Sequence, residues 1–288
     1  MLLFSGSNGK SPQSLYADVS KTHAEYGFTR FSAWLKNACG INLPCARKYL
    51  AVSKLNTLLK QYKNFDNLVS FLEKNPSSNI SYQVIEAMTT NETMWFRDGY
   101  PFIALSDIIL PNFKGTQLKV WSAASSSGQE AYSVAISCNE YAQAKRINLT
   151  ANVLATDISR YVINQGMRGV YSQIELRRGL NADYLARYFE RLDDNYWQIK
   201  NNLRQMVTFK YLNLIDNLAG LGIFDVIFCR NFMIYLDEEN KNIMLNKLRL
   251  NLKKGGYLIL GASEALSFTQ AKYFKLVSCN LGIIYQAI

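Results

Sequence analysis

The spacing of apolar positions changes near residue 88. From Glu25 to Met88 they recur at helical intervals: Phe28, Phe31, Trp34 and Leu35 fall at i, i+3, i+6 and i+7. A second stripe runs through Ala51, Leu55, Leu58 and Tyr62, with Pro44 in its first turn and Arg47 and Lys54 on one flank. Leu68, Phe71 and Leu72 predict a third helix that Asn75-Pro76 ends, and Ser81–Met88 predicts a fourth. Residues 1–22 hold Gly, Ser, Asn and Pro without a period and predict a loose tail. Residues 23–88 therefore predict a small all-α domain.

Beyond residue 89 strands and helices alternate. Thr89-Thr90-Asn91 followed by Glu92 is a cap-rich helix entry, with Trp95-Phe96 beside Arg97. Leu118 and Val120 lead into seven small residues, Ser122–Gly128, and Gln129-Glu130 then opens a helix. Asn152–Asp157 is an apolar strand ending on an acid, and Asp225–Cys229 is a fully apolar one suited to a buried parallel sheet. Asp237 caps a helix over Glu238–Leu252, Gly255-Gly256 stop it, and Tyr257–Gly261 is another strand. Phe274–Ser278 and Gly282–Tyr285 make a closing pair. Between these, Tyr196–Lys200 and Gln205–Tyr211 alternate around an Asn201-Asn202 turn, predicting an antiparallel β-subdomain inserted at about 190–209. Residues 89–288 thus predict a doubly wound α/β domain, with ligands at the carboxyl ends of its strands.

Composition narrows the chemistry. The chain has 288 residues, is 49% hydrophobic and 19% charged, and contains no apolar run of the ~18 residues that span a bilayer. Its start lacks the basic region of a secretory signal. The five cysteines are scattered without a C-x-x-C pair, which suits a reducing cytoplasm and argues against a disulfide framework or a zinc site. His23 is the single histidine, so histidine-based nucleophilic catalysis or a multi-histidine metal site has almost nothing to use. The net charge of +10 implies an acidic partner or surface without saying which.

Four strand ends converge: Ala123–Gly128, Asp157, Asn213-Leu214 and Arg230-Asn231. A small-residue turn after one strand and an acid ending the next is how an α/β fold holds an adenosyl group. That pattern alone suits a nicotinamide dinucleotide or S-adenosylmethionine. A pyrophosphate calls for a glycine-lined cradle, and this turn has one glycine, so the balance tilts toward S-adenosylmethionine.

The segments TTNETMWFR (Thr89–Arg97), VWSAASSSGQEAYSVAI (Val120–Ile136), ATDI (Ala155–Ile158), FDVIFCRNFMIYLD (Phe224–Asp237) and KKGGYLILGASE (Lys253–Glu264) resemble the signature segments of the CheR-type chemotaxis receptor methyltransferases, in order and spacing. The resemblance covers roughly residues 23–288. It implies a helical domain joined to an S-adenosylmethionine-dependent methyltransferase domain with a small β-subdomain. The implied activity is transfer of methyl to glutamate side chains on the cytoplasmic helical domains of chemoreceptors. The products are γ-methyl esters and S-adenosylhomocysteine. The resemblance also implies a cytoplasmic monomer without nucleic acid or membrane insertion.

Carried over by position, Asn91, Thr93 and Arg97 line the cofactor and transfer site, and Glu130 and Asp157 hold polar groups of the cofactor. Asn213, Leu214, Arg230 and Asn231 flank the adenosine and the methyl-bearing end, and Arg97 and Tyr235 stand beside the transferred methyl. A glutamate carboxylate is ionised at pH 7, so transfer needs positioning and no general base. Plainer roles exist for some of these: Glu130 suits a helix dipole, Asp157 a helix cap, and Tyr235 is one of eighteen tyrosines.

The chain departs from the family pattern in places. Gln129-Glu130-Ala131 stands where members usually show an acidic pair and a proline. Asn56, Thr57 and Leu58 occupy the helix where more arginine is usual. The Glu190–Trp197 loop is short and lacks the glycines of members that tether to a receptor's carboxyl-terminal pentapeptide, which predicts independence of that tether. Two other classes fit parts of the sequence: a CheR-like adaptor without turnover, and a nucleic-acid methyltransferase suggested by the basic charge. The retained site residues argue against the first. The missing D/N-P-P-Y-type motif argues against the second.

Overall fold

The structure, a computed structural model, describes residues 12–288, with side chains from residue 25. The first half of the tail expected over 1–22, and the His23 side chain, lie outside the described residues. Two compact units divide the chain, Met1–Met88 and Thr89–Ile288.

The first unit is helical: α1 (Pro12–Cys39), α2 (Lys48–Lys54), α3 (Asn56–Tyr62), α4 (Phe65–Lys74) and α5 (Asn79–Met88). Helix α1 starts at Pro12, inside the stretch expected to be loose. A proline in the first turn and the helix formers after it permit that start. Phe28 and Phe31 are buried against Phe65 of α4, with ring centroids 5.4 and 5.0 Å away. Arg30 reaches across to Asp66 and, at 2.6 Å, to Glu73. The second helix read from the sequence is split at Leu55 (φ −105°, ψ 15°) into α2 and α3. Val52, Ser53, Asn56 and Thr57 are weak helix formers that favour a break there. Arg47 falls in a 3₁₀ turn before α2, so Arg47 and Lys54 share no continuous helical flank.

The second unit opens with a surprise. Residues 89–99 form irregular backbone and turns where a helix entry was expected, and α6 (Tyr100–Ala104) starts only after Gly99. Trp95 explains this: its fully buried ring packs edge-on against Tyr171 and Phe189, 5.0 and 5.3 Å away, which pins the segment as a strap. A π-helical turn, Leu105–Ile109, joins α6 to α7 (Leu110–Asn112).

Next in the chain come β1 (Gln117–Ala123), α8 (Gln129–Lys145), β2 (Thr150–Asp157), α9 (Arg160–Arg168), β3 (Val170–Ser172), α10 (Gln173–Arg177), α11 (Ala182–Tyr188), β4 (Phe189–Arg191), β5 (Tyr196–Ile199), α12 (Asn201–Arg204) and β6 (Val207–Tyr211). The chain closes with β7 (Phe224–Cys229), α13 (Glu238–Leu250), β8 (Leu252–Leu260), α14 (Phe268–Ala271), β9 (Phe274–Cys279) and β10 (Gly282–Ala287). Seven strands form one sheet in the order β6-β2-β1-β7-β8-β10-β9, parallel from β6 to β8 and antiparallel at β10 and β9. Alternate residues of each central strand face opposite cores. Val120, Phe228 and Ile259 pack with Tyr132, Val134 and Ile136 of α8. Ala123, Ile227, Leu258 and Leu260 pack with Met244, Leu245 and Leu248 of α13. This is the expected doubly wound α/β domain.

The inserted subdomain differs in its members. Its sheet runs β3-β5-β4, and β6 belongs to the main sheet beside β2. The Asn201-Asn202 pair, expected to be a hairpin turn, starts the helical turn α12, which buries Leu203.

Candidate active site

Strand order reverses at β1: the chain builds outward to β2 and β6, then returns to β7 and β8 on the other side. A crevice forms at the carboxyl ends of strands flanking such a reversal. Here β1 and β7 end side by side, Ala123 opposite Cys229, and the loops after them form its walls.

The turn after β1 is tight. Ala124 (φ 57°), Ser126 (φ 50°) and Gly128 (φ 94°) all take left-handed backbone, uncommon for an alanine or a serine. Asp157, at the end of β2, holds the turn: Oδ2 accepts from the Ser126 N–H at 2.9 Å, and Oδ1 from the Ser159 N–H at 2.9 Å. Ser126 Oγ donates to the Asn91 carbonyl at 2.8 Å, tying the strap to the turn. Gly128 has no room for a side chain, since a Cβ would lie 2.7 Å from the Phe209 ring.

Arg230, at the end of β7, is the electrostatic centre. Its side chain is 1% exposed. Nη1 donates to Glu130 Oε2 at 2.8 Å, and Nη2 to Asp98 Oδ2 at 2.6 Å and to the Arg97 carbonyl at 2.8 Å. Ser122 Oγ donates to the other Glu130 oxygen at 2.8 Å. Burial pulls the guanidinium pKa down, but the Glu130 and Asp98 carboxylates outweigh it, and the net direction is upward. Arg230 is a fixed cation.

A cleft opens between Thr93, Arg97, the 124–126 turn, Glu130 and Arg230-Asn231. Asn91 and Thr93 also edge a neighbouring cleft that reaches Gln129 and Tyr161. Arg97 is half-buried and spends one N–H on the Glu92 carbonyl at 3.0 Å. Asn231 sits in left-handed backbone (φ 57°). The structure thus brings Asn91, Thr93, Arg97, Glu130, Asp157, Arg230 and Asn231 to one place. Asn213 and Leu214 stand one strand further out: the Leu212 N–H donates to the Asp157 carbonyl at 2.9 Å, and Leu214 is buried. Tyr235 is half-buried on the 3₁₀ turn Met233–Tyr235, outside the side chains lining the cleft. Sequence reading passed over Ser122 and Asp98, which orient Glu130 and Arg230. Neither has a signal beyond lying beside a residue it did single out.

The chain resembles known proteins over this same region. A family model described as "CheR methyltransferase, SAM binding domain" matches residues 91–283. The chain belongs to the CheR methyltransferase family. Three relatives extend the match to most of the chain. "Chemotaxis protein methyltransferase Cher2" of Pseudomonas putida is 41% identical over 268 residues, 90% of this chain and 97% of that one. "Chemotaxis protein methyltransferase" of Vibrio parahaemolyticus is 40% identical, covering 92% and 98%. "Chemotaxis protein methyltransferase 1" of Pseudomonas aeruginosa is 40% identical, with the same coverage.

This CheR chain is an S-adenosylmethionine-dependent methyltransferase, and its cleft suits that cofactor. Ser125 Oγ and Arg230 Nε line it, buried and without a partner, as polar atoms awaiting a ligand do. Two carboxylates, Glu130 and Asp157, flank the turn, each oxygen accepting a protein hydrogen bond with one of its two lone pairs. The turn between them has almost no side-chain bulk.

Proposed function

We propose that this enzyme methylates glutamate side chains of methyl-accepting chemoreceptors, giving γ-methyl esters in chemotactic adaptation. The observation that carries the reading is the cleft itself, which Arg97 lines together with the Glu130–Arg230 pair. Bound S-adenosylmethionine supplies a methyl group on a sulfonium, an electrophile that needs no activation by the protein. An acceptor carboxylate is ionised at neutral pH, so no side chain has to move a proton. The protein's task is orientation.

In this reading Asp157, Glu130, Asn91, Thr93 and Asn231 hold the cofactor, with Asn213 and Leu214 beside its adenosine. Arg97 orients the acceptor carboxylate. The Nη groups of Arg230 are committed to Glu130 and Asp98, so Arg230 positions Glu130 and does not orient the acceptor. Tyr235 hydrogen-bonds at the transfer site. A moderate grip on the acceptor is an advantage, because stabilising the nucleophile's ground state slows transfer.

The acceptor lies in the cytoplasmic helical domain of a receptor, and the enzyme acts as a cytoplasmic monomer without nucleic acid or membrane insertion. Among the described residues no helix is long and apolar enough to cross a membrane. Recognition does not depend on a receptor pentapeptide. The β4–β5 loop is occupied with itself: Arg191 pairs with Asp194 at 2.5 Å, and Asp193 accepts from the Asn195 and Tyr196 N–H groups at 2.7 and 2.8 Å.

Peptide mapping of receptors incubated with enzyme and cofactor tests the acceptor. Methyl groups are expected on glutamate; methyl found only on lysine, cysteine or nucleic acid would overturn the reading. In calorimetry an isolated receptor-tail peptide should show no tight binding, and tight binding would refute the independence.

A further inference from the structure

We propose that Glu264 is a positioning residue for methyl transfer, latching the loop that carries Arg230, Asn231 and Tyr235. The proposal rests on the reading of those three as site residues. Glu264 lies four residues past the end of β8, in a turn closed by its own N–H on the Gly261 carbonyl at 2.9 Å. Its carboxylate folds back onto the backbone of two strand-end loops. Oε2 accepts from the Gly261 and Asn231 N–H groups, both at 2.8 Å, and Oε1 accepts from the Met233 N–H at 2.7 Å. Three main-chain donors converging on one anion form a strong, directional grip.

The two grips on the β7 loop fall on either side of Phe232, and Asn231 between Arg230 and Phe232 is left-handed. They therefore set the chain path from Arg230 to the 3₁₀ turn that carries Tyr235. Gly261 leaves the space this needs: a Cβ there would lie 2.7 Å from Glu264 Oε2 and 2.9 Å from the Asn231 nitrogen. Glu264 is not among the side chains lining the cleft. It acts through the backbone of Asn231, which does line the cleft, and of Met233, which leads to Tyr235.

The charge matters as well as the shape. Glutamine at 264 keeps the length but turns an NH₂ toward at least one main-chain N–H, donor against donor. Alanine leaves three donors unpaired in a half-buried gap the size of a small carboxylate.

The test compares wild type, Glu264→Gln and Glu264→Ala on receptor-containing membranes, with S-adenosylhomocysteine affinity by calorimetry and amide exchange read at Asn231 and Met233. Both variants should lower kcat by about tenfold or more, while KM for the receptor stays within about threefold and cofactor-product affinity falls by less than kcat, since Asn231 is one of several groups that hold the cofactor. Exchange at the two amides should quicken. Formate should restore part of the Glu264→Ala rate, and chloride at equal ionic strength should not. Rates within about twofold of wild type in both variants would overturn the proposal. So would a loss that formate leaves untouched while cofactor affinity falls in parallel.

Tyr235→Phe, run alongside, separates the two claims. If it matches wild type while the Glu264 variants fall, the role of Tyr235 fails and the latch stands. If wild type methylates no receptor, the exchange at Asn231 and Met233 in Glu264→Ala still decides whether the latch exists.

Discussion

At the β7 end one guanidinium joins three parts of the chain, the strap through Asp98, helix α8 through Glu130, and its own loop. Removing one partner of such a buried pair strands a charge, at about 3–5 kcal/mol. Glu130→Ala leaves Arg230 its Asp98 partner, so it should lower the unfolding free energy by less than that, about 1–3 kcal/mol in urea denaturation, and lose cofactor affinity as well. Asp157 holds the turn after β1 through the Ser126 and Ser159 N–H groups. Asp157→Asn should weaken S-adenosylhomocysteine binding by about tenfold or more, about 1.4 kcal/mol, in calorimetry. Unchanged affinity would remove Asp157 from the cofactor site. Both residues were legible in the sequence as types in the right places. Their bonding was not, since Glu130 and Arg230 are 100 positions apart, Ser126 and Asp157 are 31 apart, and no local pattern links them.

Among the elements, the strand–turn–helix units were easiest to read. Small residues, buried apolar runs and caps are local signals, as with Asp237, whose side chain accepts from the Asn240 N–H at the start of α13. The β-subdomain was harder, because β3 and β4 are three residues each, and β3 pairs with β5 across the intervening helices α10 and α11. The π-helical turn at Leu105–Ile109 left no sequence trace at all. One helix-to-loop contact bears directly on the site. Lys247 of α13 donates to the carbonyls of Ile215 and, at 2.8 Å, Asp216, just beyond Asn213-Leu214. Burial pulls its pKa down, and Asp216 partly offsets this. Lys247→Met keeps the stem but strands those carbonyls, so stability should fall by about 1–3 kcal/mol. Amide exchange should quicken over residues 213–218. Unaltered exchange there would show that the loop holds itself.

For the whole molecule, burial sets a limit on alkaline stability. It pushes the Cys39 and Cys138 thiols up to about 12, from an ordinary 9.0. Tyr188 also rises to about 12, through burial and then its hydrogen bond to Glu140. Each group keeps its proton in the fold at a pH where the unfolded chain has lost it. Above about pH 9 the native state binds more protons, so unfolding free energy declines with rising pH. Urea midpoints should hold steady up to about pH 9 and then fall progressively toward pH 12. A midpoint that rises over that range would contradict the burial of these groups. Thiol labelling at pH 8 should reach exposed Cys45 well before buried Cys39, Cys138 and Cys229.

The central claim is that this fold exists to carry a methyl group to a receptor carboxylate. It is tested most directly by incubating the enzyme and methyl-labelled S-adenosylmethionine with receptor-containing membranes, then treating the labelled protein with base. A carboxyl ester releases its label as methanol, and that is the expected result. Label on the receptor that survives base would mean a nitrogen or sulfur acceptor, and would contradict the account.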